Sequence, residues 1–574
     1  MPTVAALLVD ALADHGVTQV WGVVGDALNP VTDAIHRHDR VEWVGVRHEE
    51  AGAFAAGAQA QLTGRLGVCM GTVGPGSIHL LNGLYDAKKS HAPVLAICGQ
   101  VPRAEIGSDF FQEVDNDVLF ADVAVYRATV SSPEQLPQVI EAAGNAALQE
   151  RGVAVITLPG DVGGLDVPKD TAVPRFVTDR PAVPPEGEAV SRAAVAINQA
   201  DRVAMLVGAG ARHARREVLS VAERLRAPMV LTLKGKEGLE ADNHYEVGQS
   251  GLLGNRASAV AFDGCDLLLM VGTDFPYKEF YPDGKVVVQV DADGEHIGRR
   301  HPVDHAIVGD SRVSLAALLP LLRQKDDTAL LDKARSSYAD WRERQRHLTD
   351  PDYERKPRGV LRRKVDNPHD RVRPELLAAA VDRHAADDAV FTVDTGMATT
   401  WLARFVRMRG GRQLLGSFNL GSMANAMPQA LGAQALDRSR QVVACCGDGG
   451  LTMLLGDLLT AVAQDLPVKL VVFDNGSLGM VRLEMEQVGF AAYGTDLANP
   501  DLAKVAEAIG MKGIRVEDPH AVEGAVLEAF AHDGPVLLDV LTNPDEIAIP
   551  PKPTLEQGWG FAIAKSKEFL ESSS

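Results

Sequence analysis

A glycine-rich turn between two apolar runs constrains this chain more than any other feature. The turn is Gly-Asp-Gly-Gly at 447–450, preceded by the apolar run 441–446 and followed by a helix-like segment at 451–466. A second apolar run at 468–473 leads into Asp-Asn-Gly-Ser at 474–477. This order predicts a strand, a turn, a helix and a second strand. In a parallel sheet both strands end at the carboxyl edge, where such sheets bind ligands.

The side chains that follow these two strands suit a metal ion and a diphosphate. Asp448 and Asn475 are 27 positions apart and are expected to meet at the sheet edge. One carboxylate, one amide oxygen and a loop carbonyl suit Mg2+, which takes its remaining ligands from water and phosphate oxygens. The glycines allow backbone N–H groups and a helix N-terminus to approach the phosphates. The alternative is an ordinary strand–helix–strand unit, and the turn by itself does not exclude it.

Length and charge limit the class of protein. The 574 residues suffice for three or four domains, and 46% of them are hydrophobic. The net charge of −20 argues against a nucleic-acid partner and against an anionic membrane surface. No apolar run reaches 18 residues, so no membrane span is expected. The first residues predict an amphipathic helix rather than a signal peptide.

The cysteines are expected to be buried, reduced thiols. Most of the five lie in apolar strand-like runs and lack the spacing of a metal site. Cys445 and Cys446 are adjacent and cannot easily form an ordinary disulfide. Reduced thiols are typical of the cytosol, so a cytoplasmic location is expected.

The alternation of strand-like and helix-like segments predicts an α/β fold with three doubly wound parallel-sheet domains. These domains are expected over 1–180, 187–330 and 345–545, and a tail follows at 546–574. The strongly charged segment 325–372 is interpreted as a solvated helix and connector without chemistry. Several strands of the central domain end in Gly, Asp or Thr, which suits phosphates and a ribose, although Gly-x-Gly alone is a weak signal.

These features together make the chain resemble the thiamine-diphosphate enzymes. The resemblance rests on three α/β domains, an early His48-Glu49 and a late Gly-Asp-Gly followed by an Asn. Within that family the chain is most similar to the pyruvate oxidase and pyruvate:quinone oxidoreductase branch, over residues 1 to about 565. The supporting stretches are 47–58, 110–113, 234–237, 272–277, 416–434 and 547–551.

The resemblance places the family's catalytic carboxylate on Glu49. It would hydrogen-bond a ring nitrogen of the aminopyrimidine of thiamine diphosphate. A partly desolvated carboxylate can share a proton with such a nitrogen. The alternative is that Glu49 only starts a helix, where acidic residues are favourable, and Glu50 suits that role better.

The resemblance also implies a cofactor-binding set in the third domain. Mg2+ would be bound by the side chains of Asp448 and Asn475 and by the main-chain carbonyl of Ser477. The family has Asn-Asn at this strand end, whereas the first residue here is Asp474. Met423 would lie beneath the cofactor, with core packing as the alternative. The residues implied to contact thiamine diphosphate are Glu49, Gly421, Ser422, Met423, Asp448, Gly449, Gly450, Asn475, Gly476, Ser477, Leu478, Gly479, Met480 and Val481.

The central domain resembles the family's FAD domain. The residues implied to contact FAD are Gly208, Gly210, Ser250, Gly251, Leu252, Leu253, Thr273, Asp274, Phe275, Pro276, Tyr277 and Asp291. They do not establish redox use, because acetolactate synthases keep FAD without using it in turnover.

On the substrate side the matching positions are Phe111, Gln112 and Glu484. Met480 replaces a Phe of several relatives at the pocket wall, which leaves the substrate's size open. His79 and His91 are weaker candidates for proton transfer, and surface or core placement is the simpler expectation for both.

The implied activity is the oxidative decarboxylation of pyruvate with thiamine diphosphate, Mg2+ and FAD. Electrons would pass from the flavin to a quinone or to oxygen, giving acetate or an acetyl product and CO2. The alternatives are an acetolactate synthase-like carboligase with non-redox FAD, a 2-keto acid decarboxylase, and a cofactor-binding protein without catalysis.

Assembly and membrane contact follow from the same resemblance. The family pairs its pyrimidine-binding and diphosphate-binding domains across two subunits, so a homodimer or homotetramer is expected, with Glu49 of one chain facing Asp448 of another. The segment after Phe561 is short and of mixed polarity, which allows at most weak peripheral contact with the inner face of the membrane.

Overall fold

The computed structural model describes residues 1–353, 367 and 370–546, and in them three six-stranded parallel sheets are flanked by helices. This confirms the predicted fold class. The stretch 547–551 and nearly all of the tail at 546–574 lie outside the described residues.

The N-terminal sheet has the strand order β2-β1-β3-β4-β6-β5. Its strands are β1 (Gln19–Gly22), β2 (Glu42–Gly45), β3 (Gly67–Gly71), β4 (Val94–Gln100), β5 (Ala124–Thr129) and β6 (Val153–Pro159). Its helices are α1 (Val4–Asp14), α2 (Asn29–His36), α3 (Glu49–Thr63), α4 (Pro75–His79), α5 (Leu81–Lys89), α6 (Asn116–Leu119) and α7 (Leu136–Glu150). The inner strands are buried along their whole length, as expected when helices cover both faces of a parallel sheet.

The central sheet has the order β12-β11-β10-β7-β8-β9. Its strands are β7 (Val203–Val207), β8 (Met229–Leu231), β9 (Glu246–Gln249), β10 (Leu267–Val271), β11 (Val286–Asp291) and β12 (His305–Val308). Its helices are α8 (Gly187–Gln199), α9 (Arg215–Leu225), α10 (Lys236–Leu239), α11 (Arg256–Gly264), α12 (Ser311–Leu318) and α13 (Ala329–Leu348).

Helix α13 is the helix that was expected in the charged segment 325–372, but one of its faces is buried rather than solvated. Its first turns bury Leu330, Leu331 and Ala334, and the helix packs against α11 of the central domain. The charged residues that dominate its sequence lie on the opposite face, because a helix alternates its two faces with a period of 3.6 residues.

The C-terminal sheet has the order β14-β13-β15-β16-β18-β17. Its strands are β13 (Val390–Val393), β14 (Gln413–Gly416), β15 (Val442–Gly447), β16 (Lys469–Asp474), β17 (Lys512–Val516) and β18 (Val536–Leu541). Its helices are α14 (Pro374–His384), α15 (Met397–Phe405), α16 (Ala426–Leu436), α17 (Asp448–Met453), α18 (Leu458–Ala463), α19 (Gly479–Gln487), α20 (Leu502–Ala508) and α21 (Val522–Ala531). The single helix predicted at 451–466 is thus two short helices, and the first begins at Asp448.

Helices α3 and α16 join the N-terminal and C-terminal domains. Both are rich in Ala and Gly, so their backbones approach closely, and α3 is buried along most of its length. A methyl group at Gly432 would overlap with the backbone of Ala55. A hydrogen bond also joins the two helices, because Gln59 Nε2 of α3 donates to the Gly432 carbonyl of α16 at 3.1 Å. One apolar cluster therefore continues from the first sheet into the third.

The expectation for the cysteines is met in the described residues. All five are buried and unpaired. Within the same part of the chain, no helix is both long and apolar enough to traverse a membrane.

We expect Gly432→Ala to destabilise the protein by about 1–3 kcal/mol, because the added methyl overpacks the α3–α16 contact. The measurement is the urea midpoint of unfolding. Gly524→Ala is the matched control, since it also lies in a helix, α21, but has open space around it. This control is expected to gain about 0.5–1 kcal/mol through helix propensity. Equal shifts in the two variants would contradict the packing argument.

Candidate active site

The site begins at the carboxyl edge of the C-terminal sheet. Strands β15 and β16 are parallel neighbours with Gly447 paired to Phe473. Asp448 opens α17 directly after β15, and Asn475 follows β16. The predicted strand–turn–helix–strand order therefore brings both residues to one edge.

Asp448 is part of a buried pair of carboxylates. Asp448 and Asp474 are only 2% and 6% exposed. The Nδ2 atom of Asn499 lies 2.6 Å from Asp448 Oδ2 and 3.0 Å from Asp474 Oδ1. Burial raises the pKa of Asp448 to about 6, and the neighbouring Asp474 carboxylate adds to the rise. Asn499 carries no sequence signal, because it lies in a loop 51 positions after Asp448.

Asp394, at the end of β13, positions the glycine turn. Its two oxygens accept hydrogen bonds from the backbone N–H groups of Ala426 at 2.9 Å and Gly447 at 3.2 Å. A side chain at Gly450 would overlap with the Asp394 carboxylate, so this position requires glycine. Burial raises the pKa of Asp394 to about 7, although the two N–H donors act in the opposite direction. The sequence alone gave Asp394 no role.

Met423 lies against the glycine turn. A methyl group at Gly449 would be 3.4 Å from Met423 Cε and 3.0 Å from Leu478 Cδ2. The loop that carries Met423 turns through Gly421, which has a φ of +80°. Ser422 Oγ donates to the Met423 carbonyl at 2.9 Å. The half-buried Met423 side chain therefore lies beside the glycine turn.

The loop after β16 is held by backbone hydrogen bonds. Ser477 N donates to Asn475 Oδ1 at 3.0 Å, Leu478 N donates to Thr495 O at 2.7 Å, and Leu497 N donates to Gly476 O at 2.8 Å. The buried hydroxyl of Ser477 has no hydrogen-bond partner among the described residues. Gly479, Met480, Val481 and Glu484 follow in α19, where Val481 is 41% exposed and Glu484 is also exposed.

Glu49 is the first residue of α3 and is 7% exposed. Its Oε2 atom lies 2.9 Å from His79 Nδ1, and the rings of His48 and His79 stack at 4.4 Å. A methyl group at Gly76 would be 3.1 Å from Glu49 Oε1. One carboxylate oxygen is thus held by a histidine, and the other faces a glycine loop.

The neighbouring acid and the two histidines have different surroundings. Glu50 Oε1 accepts a hydrogen bond from Asn82 Nδ2 at 2.7 Å, and Asn82 also donates to Ser422 Oγ at 2.8 Å. His79 is exposed, as the simpler expectation of a surface position had it, and it also lies beside Glu49. His91 instead contacts His296, and burial lowers the pKa of His91.

The predicted substrate residues Phe111 and Gln112 belong to the N-terminal domain, which also carries Glu49 and His79. Gln112 has a φ of +66°, and its carbonyl oxygen would be 2.7 Å from a methyl group at Gly74. Gly74 precedes α4, the helix that carries Gly76 and His79. Phe111 beside it is 79% exposed. Gln112 therefore packs beside the start of the helix whose Gly76 faces Glu49, and Phe111 is its exposed neighbour in sequence.

The predicted FAD residues cluster at one edge of the central sheet. Neighbouring strands β7, β10 and β11 end at or beside Gly208, Gly272 and Asp291. A methyl group at Gly208 would be 2.6 Å from the Gly272 carbonyl, and one at Gly210 would be 2.9 Å from Gly272 Cα. These glycines therefore also serve backbone packing.

Aromatic side chains pack together at this edge of the central sheet. The rings of Phe275 and Tyr277 meet edge to face at 5.5 Å, and a methyl group at Gly251 would be 2.8 Å from Phe275 Cζ. Burial raises the pKa of Tyr277, and the charges of Glu279 and Glu484 add to the rise.

The other predicted FAD residues are placed as follows. Ser250 and Thr273 are buried, Leu252 and Leu253 are half-buried, Pro276 is exposed, and Asp274 forms ion pairs with Arg299 and Arg300.

Stability should depend on pH through Asp394. The folded protein keeps the Asp394 proton up to about pH 7, whereas an unfolded aspartate loses it near pH 4. Between these values the folded state binds more protons, so the free energy of unfolding falls as pH rises. Asp394→Asn should flatten the decline measured in urea between pH 5 and pH 8. The control is the exposed Asp388→Asn, and an equal flattening in both variants would contradict this assignment.

Comparison with known proteins adds an independent line of evidence. Models of thiamine pyrophosphate enzymes match in three parts, the N-terminal TPP binding domain over residues 2–119, the central domain over 190–318 and the C-terminal TPP binding domain over 394–540. The chain is 36% identical over 573 residues to YdaP of Bacillus subtilis (strain 168), covering 99% of this chain and 96% of YdaP.

Two relatives carry names that describe different activities. The chain is 31% identical over 552 residues to a pyruvate oxidase of Lactiplantibacillus plantarum, covering 94% of this chain and 88% of that protein. It is 33% identical over 573 residues to an acetolactate synthase large subunit of Parasynechococcus marenigrum, covering 96% and 89%. These similarities do not select one activity. The chain belongs to the thiamine pyrophosphate enzyme family.

Proposed function

We propose that this protein catalyses the oxidative decarboxylation of pyruvate with thiamine diphosphate, Mg2+ and FAD. The products are CO2 and acetate or an acetyl product, and the flavin passes its electrons to a quinone or to oxygen. The observation that carries the proposal is the buried Glu49, with one oxygen held by His79 and the other facing the glycine loop. The redox part is supported by the 31% identity to a pyruvate oxidase over nearly the whole chain.

The third domain fits Mg2+ and a diphosphate. The Asp448 and Asp474 carboxylates are buried and form no ion pair among the described residues, so a bound cation would compensate their charge. The partnerless hydroxyl of Ser477 lies in the same loop. The side chains of Asp448 and Asn475 and the carbonyl of Ser477 would hold the metal ion.

When bound, thiamine diphosphate supplies the nucleophilic carbon and the electron sink, and FAD supplies the electron acceptor. Glu49 would hold a proton between its Oε1 atom and the cofactor's ring nitrogen, while Oε2 stays on His79. Burial keeps water from competing for that proton. Met423 would support the cofactor next to the glycine turn.

The complete site would take one half from each of two chains. Within one chain Glu49 lies against His79 and Gly76, and no hydrogen bond or ion pair of the described residues joins it to Asp448. Phe111 and Val481 are exposed beside the two halves. Exposed apolar side chains of this kind suit a partner surface. A homodimer is therefore the minimal active unit, and a homotetramer would pair two of them.

An acetolactate synthase-like carboligase with non-redox FAD is the second candidate. The 33% identity to an acetolactate synthase over nearly the whole chain favours it. Met480 is a flexible side chain at the proposed pocket wall, and methionine adapts to substrates of different size. A 2-keto acid decarboxylase without FAD is the remaining alternative.

We expect the cofactor-loaded protein to bleach its flavin when it is mixed anaerobically with pyruvate. Decarboxylation leaves two electrons that only the flavin can accept in the absence of oxygen. The measurement is stopped-flow absorbance at the flavin band, followed by addition of oxygen or a soluble quinone to identify the acceptor. Flavin that stays oxidised while acetolactate accumulates would favour the carboligase, and acetaldehyde release without bound FAD would favour the decarboxylase.

We expect Glu49→Gln to slow CO2 release from pyruvate by roughly 10^2–10^4-fold, because an amide cannot exchange a proton with the cofactor's ring nitrogen. Glu50→Gln is the matched control, since Glu50 is the adjacent acid and contacts Asn82 instead. The control should stay within about tenfold of the parent protein. Comparable losses in the two variants would remove Glu49 from its assigned role.

A further inference from the structure

One amide nitrogen joins two buried carboxylates beside the glycine turn. Asn499 Nδ2 lies 2.6 Å from Asp448 Oδ2 and 3.0 Å from Asp474 Oδ1. An amide nitrogen carries two hydrogens, so it can donate one to each acid. Asp474 Oδ1 also accepts a hydrogen bond from Gly476 N at 3.2 Å. The Asp474 side chain is therefore held next to Asp448.

The protein itself does not neutralise this pair. Among the described residues, no Lys, Arg or His forms an ion pair with Asp448 or Asp474. Arg515 pairs with Asp539 at 2.8 Å and with Glu517 at 2.9 Å instead. The exposures of 2% and 6% leave little water to screen the two charges. The nearby Ser477 is 6% exposed, and its hydroxyl has no hydrogen-bond partner in the described part of the chain.

We propose that Asp474 is a second carboxylate of the cation site, held beside Asp448 by Asn499, and that its charge raises the affinity of the site for Mg2+. This inference rests on the proposed function, which places Mg2+ at Asp448 and Asn475. Asp474 acts as a positioning and electrostatic residue and need not coordinate the ion directly. Its neutral counterpart would offer the same hydrogen-bond acceptor to Gly476 N without the charge.

This pair of carboxylates destabilises the protein when no cation is bound. Two adjacent carboxylates of low exposure repel each other, and a like charge nearby disfavours ionisation. A bound divalent cation would attract both carboxylates and so offset their mutual repulsion. Removing the Asp474 charge should therefore weaken Mg2+ binding and, at the same time, relieve strain in the protein without cofactors.

The test is a titration of Mg2+ into full-length, cofactor-stripped protein at about pH 8 with saturating thiamine diphosphate. Binding is followed by calorimetry, which does not depend on turnover. Asp474→Asn should raise the dissociation constant of Mg2+ about tenfold. The matched control is Asp496→Asn, which removes the same charge from an exposed position of the loop that carries Asn499. The control should stay within about twofold of the parent.

Thermal melting of the same proteins gives a second readout. Without cofactors Asp474→Asn should melt at a higher temperature than the parent, and the rise in melting temperature on adding Mg2+ and thiamine diphosphate should be smaller. If Asp474→Asn is poorly folded, Asp474→Ser retains a hydroxyl acceptor and replaces it in both measurements.

The outcomes of these measurements distinguish the role of Asp474 from the proposed function. Mg2+ affinity of the Asp474 variant within twofold of the parent, or tighter, would overturn the role of Asp474 and leave the proposed function intact. Equal weakening in the Asp496 control would also overturn it, because the effect would then be one of net charge. Absence of Mg2+ binding to the parent protein in the same titration would overturn both the cation site and the role of Asp474. Failure of the proposed oxidation would be seen separately, as flavin that stays oxidised in the anaerobic mixture with pyruvate.

Discussion

The packing of α3 against α16 is the contact on which the arrangement of the site depends. Both helices are rich in small residues, and Gly432 lies so close to Ala55 that no side chain fits between them. The start of α3 carries Glu49, and the strand that follows α16 ends at the glycine turn. Because the same contact fixes both, the two halves of the site hold a constant relation within each chain, which a paired chain can then complement.

The site itself depends on a common property of parallel sheets. Their strands end at one edge, so polar residues distant in sequence become neighbours there. In the C-terminal domain this edge gathers Asp394, Asp448 and Asp474, three buried carboxylates with different partners. Asp394 is occupied by two backbone N–H groups and holds the turn. The other two share an amide and retain capacity for a cation.

Many strands of the three sheets could be predicted from the sequence, for a simple physical reason. Inner parallel strands are covered on both faces, so they are continuous apolar runs that are easy to recognise. Strands β9, β12 and β17 are edge strands and are harder to recognise, because polar residues interrupt their apolar runs. The helix predicted at 451–466 divides because a 3-10 turn at Leu455–Asp457 interrupts it, and Asp457 there accepts a hydrogen bond from Arg47 N of the N-terminal domain. That contact exists only in the folded chain.

In the candidate site, too, some residues could be predicted from the sequence and others could not. Asp448 and Asn475 follow strands, so their meeting could be predicted. His79 and Asn499 are in a helix end and a loop, and only tertiary folding brings them to Glu49 and Asp448. No spacing rule marks such residues. The roles of the predicted cofactor residues stay predictions, since proximity at an edge does not establish binding.

The loop that carries Asn499 has a consequence of its own. Two backbone hydrogen bonds connect it to the loop that follows β16, one from Leu478 N to Thr495 O and one from Leu497 N to Gly476 O. The same loop thus delivers the amide that bridges the two acids. In the proposed cation site, order in this loop and binding of the cation would be thermodynamically linked, and linkage is reciprocal. A cation that favoured the bridged acids would also order the loop, and a contact from a neighbouring subunit that ordered the loop would strengthen the binding of the cation.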